Sequence, residues 1–126
     1  KIFDLKKYDK KSRLNNAINF SKFSEYVTNQ GINIIFANIG MFHKARERNR
    51  SKIKNYIEIY IQAKLNKIIR KGKKKIYKKN AINIVGKDII PELPKSPNIK
   101  IKNDFKKNIN QLADEVIKKI DKIVKN

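Results

Sequence analysis

The residues best suited to chemistry are cations in close series. Arg46, Arg48 and Arg50 lie within HKARERNR, and Arg70, Lys71, Lys73, Lys74, Lys75, Lys78 and Lys79 lie around Tyr77 in RKGKKKIYKK. Guanidinium groups grip phosphate through paired N–H donors, lysines track a charged backbone, and an aromatic ring stacks on a base. On a helix, Arg46 and Arg50 share a face at i,i+4, where like charges repel. A phosphate between them would turn that repulsion into attraction. The chemistry implied is polyanion binding, with all of these residues as nucleic-acid contacts.

Other reactive types are sparse. His43 is the one histidine, which excludes a two-histidine metal motif. Gly31, Gly40, Gly72 and Gly86 are isolated, so no glycine-rich phosphate loop is present. There is no cysteine, and hence no disulfide or thiolate metal site. The acidic residues show no signature spacing, and Asp114 and Glu115 read as surface pairing residues. The expectation is therefore a protein that is not an enzyme, with no cofactor, no metal and no small-molecule substrate.

The net charge is +21 and the pI near 10.2. Part of this reflects codon usage: Lys, Ile and Asn, whose codons are A/T-rich, outnumber Arg, Leu and Gln by 27 to 5, 23 to 5 and 16 to 3. The distribution says more. Residues 44–79 carry 15 basic and 2 acidic residues, against 7 and 3 before them and 10 and 6 after them. A compositional bias alone would spread evenly, so the middle segment reads as a binding surface.

The elements that must position these cations follow from periodicity. Ile53, Tyr56, Ile57, Tyr60, Ile61, Leu65, Ile68 and Ile69 predict a long helix over about 51–71, ended by Gly72. Ile59 and Lys64 do not fit its apolar arc. Leu14, Ala17, Ile18, Phe20, Phe23, Tyr26 and Val27 predict a shorter helix over about 14–29. INIIFANIGMF, residues 32–42, reads as a buried strand, being rich in β-branched residues. Residues 81–85 read as a short strand ended by Gly86. Pro91, Pro94 and Pro97 mark a stiff connection. Ile99 and Ile101 alternate with Lys100 and Lys102, as in a charge-protected edge strand. A clean stripe from Phe105 to Val124 predicts a second long helix over about 104–125, capped by Asn103 or Asp104. Residues 1–13 read as a basic N-terminal arm.

The expected fold is α+β: two long amphipathic helices, a shorter helix and a small sheet, with residues 14–126 as one small domain behind the arm. The expected function is a non-catalytic RNA-binding structural component of a ribonucleoprotein, foremost a ribosomal protein, organellar or lineage-specific. Its partners would be ribosomal RNA and neighbouring proteins of a large assembly. Its place would be the ribosome, mitochondrial or cytoplasmic. A DNA-binding architectural or plasmid-associated protein, or a protein-interaction subunit, are the alternatives. No apolar run is long enough to span a membrane. The chain opens on Lys1, and its first residues lack the apolar core of a signal peptide.

Overall fold

A computed structural model of the chain describes residues 7–70 and 82–125. Among these, four helices and a two-stranded parallel sheet make an α+β chain. They divide into two compact units, one from Lys1–Tyr56 with Ile82–Leu93, the other from Ile57–Ala81 with Pro94–Asn126. No helix of the described residues is long and apolar enough to cross a membrane.

In the first unit, α1 spans Lys10–Asn29 and α2 spans His43–Lys52. Helix α1 begins inside the stretch expected to be an arm, because Asp9 caps it. The Asp9 carboxylate accepts from the Ser12 N–H at 2.9 Å and from the Ser12 hydroxyl at 2.7 Å. Gly31, at φ +77°, ends the helix and turns the chain. Rather than the shorter helix, α1 is thus the longest, at 20 residues. Its Leu14 and Ala17 pack on a core of Met41, Phe42 and Ile89. Its small buried serines, Ser21 and Ser24, let α2 approach.

Residues 32–42 form no strand. They run as an irregular connection, with Ile35 99% exposed and the Phe36 ring resting 4.8 Å from that of Phe20. Only Met41 and Phe42 at its end are buried. A strand needs a hydrogen-bonded neighbour, and no described segment supplies one here. Residues 82–85 likewise form no strand but enter a tight turn. The Ile84 carbonyl accepts from the amides of Lys87, Asp88 and Ile89, and Asn83 and Gly86 sit at φ +61° and +87°.

In the second unit, β1 (Ile59–Gln62) pairs in parallel with β2 (Ile99–Lys102), with Ile59 opposite Ile99 and Ile61 opposite Ile101. Helix α3 (Leu65–Arg70) follows β1, and α4 (Ile109–Val124) follows β2 and packs against it. The expected 51–71 helix does not exist. Helix α2 stops at Lys52, Asn55 takes φ +58°, and the following residues are extended. Isoleucines at 57, 59 and 61 satisfy a two-residue period as well as a helical one, and β-branching favours the strand. The misfit of Ile59 and Lys64 was the warning.

The edge-strand expectation for β2 holds in its side-chain pattern: Ile99 and Ile101 are 2% and 1% exposed, while Lys100 and Lys102 face solvent. Lys100 lies over the ring of its register partner Tyr60, 5.9 Å from the centroid. Helix α4 starts later than expected, at a capping box made by Asn108 and Gln111. Asn103 and Asp104 instead fold into side-chain turns, accepting from the amides of Phe105 and Lys106. On this helix Glu115 pairs with Lys119 at 3.5 Å and with Lys107 at 2.6 Å.

Ile101 is the most deeply buried large side chain among those described. Ile101→Ala is expected to lower unfolding free energy by about 2–5 kcal/mol. Urea titration checks this; an unchanged midpoint would show that the strand pair contributes little.

Candidate active site

The arginines of α2 do not converge. Arg46 is buried at 8% exposure, and its fork is engaged internally. It donates to the Gly40 carbonyl at 2.6 Å, to the Glu92 carbonyl and to His43 Nδ1 at 2.9 Å. An arginine only donates, so the histidine nitrogen is the acceptor. Arg48 donates to the Ser21 hydroxyl at 2.8 Å and forms an ion pair with Glu25, joining α2 to α1. Arg50 stands 5.9 Å from the centroid of the Tyr56 ring. The expected phosphate clamp is therefore three side chains with three separate sets of partners. Lys71, Lys73, Lys74, Lys75, Tyr77, Lys78 and Lys79 lie outside the described residues.

Arg70 is different. With Lys67, Asp104 and Phe105 it lines a cavity of about 310 Å³ in the second unit. Lys67 and Arg70 are one turn apart on α3, so both cations serve one wall. Phe105 holds φ +66°, a conformation a bulky side chain rarely adopts. The hydrogen bond from its N–H to Asn103 Oδ1, at 3.0 Å, holds it there. The Asp104 carboxyl is held below its ordinary pKa, first by the Lys106 N–H it accepts, then by the charges of Lys106 and Lys67. The cavity thus offers an aromatic face, two cations and one carboxylate. Such a set takes a planar ring attached to an anion.

A second aromatic–cation cluster stands at the start of α1. The Arg13 guanidinium lies 5.2 Å from the Tyr8 ring centroid, and its Nε donates to the Tyr8 carbonyl at 2.7 Å. Its Nη2 donates to the Asn83 carbonyl at 3.2 Å. Tyr8 is 57% exposed and so keeps a free ring edge. Sequence reasoning missed this pair by assigning both residues to an arm. The signal available was Asp9 followed by Ser12, which marks a helix start and makes Arg13 its first-turn cation. Among the described residues, no group of three or more His, Cys, Asp or Glu side chains is placed to hold a metal ion.

The adenylylsulphate kinase profile matches residues 3–102. This chain belongs to the adenylylsulphate kinase family. Cytidine diphosphoramidate kinase of Campylobacter jejuni subsp. jejuni serotype O:2 is 32% identical over 117 residues, covering 90% of this chain and 68% of that protein. No solved structure matches the chain.

Kinship with kinases overturns several expectations. An RNA-binding ribosomal role is replaced by that of a phosphotransferase family, and the expectation of no enzyme falls with it. So do ribosomal RNA as partner, the exclusion of a small-molecule substrate, and the ribosome as location. The physical reason lies in what excess positive charge can mean. Phosphates on a small nucleotide attract cations as those of a nucleic acid do, and composition does not tell them apart. Phosphoryl transfer relies largely on orientation and charge stabilisation, and positioned cations are one of its requirements.

Glu92 is a further residue the sequence did not single out. Its carboxylate accepts from the His43 N–H at 2.6 Å and so caps α2. That hydrogen bond, followed by nearby positive charge, lowers its pKa from the ordinary value. A folded pKa below the unfolded one means stabilisation that is complete above the ordinary glutamate value of 4.5 and lost as pH falls through the depressed one. Glu92→Gln is expected to remove this component. Thermal midpoints of the two proteins, compared from pH 6 to about pH 3, should differ most at the upper end and converge at the lower. A constant gap would contradict the linkage.

Proposed function

We propose that the protein is a small-molecule kinase that transfers a phosphoryl group from a nucleoside triphosphate to a nucleotide-like acceptor of the cytidine diphosphoramidate class. The observation that carries this reading is the 32% identity to a cytidine diphosphoramidate kinase across 90% of the chain. The geometry is compatible with it: the places where an aromatic ring stands beside a cation include the Phe105 cavity in one unit and the Tyr8–Arg13 pair in the other, besides Arg50–Tyr56 and Lys100–Tyr60. Two nucleotide substrates call for two such places.

Charge suggests which substrate goes where. The cavity beside Phe105 has two cations and one carboxylate, and the sequence continues from Arg70 into a lysine run. That suits the triphosphate, the more highly charged of the two. Phe105 would take the base against its face, with Lys67 and Arg70 toward the phosphates. The Tyr8–Arg13 pair suits the acceptor, whose pyrimidine stacks and whose anionic group meets a single guanidinium. The 126 residues hold no G-x-x-x-x-G-K-[ST] sequence. The proposal therefore assigns them base holding and charge neutralisation, not the backbone cradle around the β- and γ-phosphates.

Calorimetric titration of ATP and CDP into the protein tests the assignment. Phe105→Ala should weaken ATP on the order of tenfold, the loss of one stacking contact, and spare CDP. Arg13→Ala should weaken CDP and spare ATP. Affinities that ignore both substitutions would overturn the placement.

A further inference from the structure

The loop of residues 82–93 is fastened at both ends by arginines. At one end Arg13 donates to the Asn83 carbonyl. At the other, Arg46 donates to the Glu92 carbonyl, the Glu92 amide donates to the Met41 carbonyl at 3.0 Å, and the Glu92 carboxylate caps α2 at His43. Between these ends the loop is cross-linked to itself. The Ile84 N–H donates to Asp88 Oδ2 at 2.9 Å, the Gly86 N–H donates to the Ile89 carbonyl at 2.9 Å, and Ile84 and Ile89 are buried. These bonds stiffen the segment between Ile84 and Ile89.

We infer that Arg46 is a positioning residue for the Tyr8–Arg13 cluster. It touches neither residue. Its guanidinium fixes the Gly40 carbonyl and the Glu92 carbonyl together, which sets the far end of the loop. The loop then presents the Asn83 carbonyl that holds Arg13 beside the Tyr8 ring. Two features favour arginine for this task. A planar fork joins two carbonyls and a ring nitrogen at fixed angles, which one ammonium does not. And a buried guanidinium must keep its donors satisfied, so displacing the loop would take away one of the acceptors of Arg46. The inference rests on the acceptor reading of the cluster for its functional weight, though not for its structural content.

The test is hydrogen exchange and nitrogen-15 NMR of the Arg13 Nη2 protons, which donate to the Asn83 carbonyl and are distinct from the backbone. In the wild-type protein, the Arg13 Nη2 protons and the Glu92 amide should exchange through one opening with the same denaturant dependence. In Arg46→Lys, the Arg13 Nη2 protons should exchange faster, on the order of tenfold, as expected for loss of a charged hydrogen bond. The mid-helix amides of α1 should stay protected. Arg48→Lys serves as the comparison, since it also loosens α2 but through Ser21 and Glu25; it should leave the Arg13 Nη2 protons unchanged. Arg13 Nη2 protons indifferent to Arg46→Lys, or equally released by Arg48→Lys, would overturn the proposal. If Arg46→Lys fails to fold, the wild-type comparison decides, and separate openings for Arg13 and Glu92 would overturn it. CDP titration completes the set: weaker binding by several-fold in Arg46→Lys is expected. Absence of CDP binding in the wild type would defeat the acceptor reading and leave the exchange result to judge Arg46.

Discussion

A buried guanidinium must find acceptors for its donors, and that constraint organises the first unit. Arg46 meets it with the carbonyls of Gly40 and Glu92 and the ring nitrogen of His43. In doing so it brings together the end of the irregular 32–42 connection, the first turn of α2 and the last part of the 82–93 loop. Met41, Phe42 and Ile89 close the core around this junction. Leaving such a charge unpaired would cost several kcal/mol, so the surrounding backbone is tied to the arginine rather than the reverse. Arg48 repeats the principle between α1 and α2, where Ser21 and Glu25 receive it.

The second unit relies on a different device. Two short parallel strands give few hydrogen bonds, and a parallel pair is normally covered. Here the stability lies in the alternation of β2, which buries Ile99 and Ile101 and turns lysines outward. The chain leaving β2 turns at once. Asn103 and Asp104 turn it through their side chains, and Phe105 takes up the left-handed conformation that results. The same turn sets Phe105 and Asp104 beside Lys67 and Arg70. The candidate nucleotide cavity is therefore a consequence of how the polypeptide leaves the sheet.

Parts of this were legible in the sequence. The α1 and α4 segments have apolar residues at helical steps, and both are helices. The alternation of Ile and Lys at 99–102 reads directly as a strand with one buried face. The expectation of a helix over 51–71 fails because isoleucine recurs so often that it fits two periods, and only Ile59 and Lys64 spoke against a helix. The site was mostly illegible. Charge is visible in a sequence, but the acceptor that claims it is not. Arg46 finds Gly40 six residues away and Glu92 forty-six away. Arg70, expected as a nucleic-acid contact, lines a cavity, which does not test that expectation. Phe105 was counted as part of a helix stripe, and Tyr8 and Arg13 as part of an arm, since nothing local reveals a left-handed turn or a cation–π contact. The kinase relationship rests on similarity along most of the chain.

The most direct measurement of the central claim is phosphoryl transfer itself. The complete protein would be incubated with ATP labelled at the γ-phosphate and with cytidine diphosphoramidate, and the nucleotides separated. The kinase reading predicts label in the cytidine product, formed in proportion to enzyme and absent when the acceptor is left out. Label that stays in ATP, with neither nucleotide bound by the protein, would contradict it.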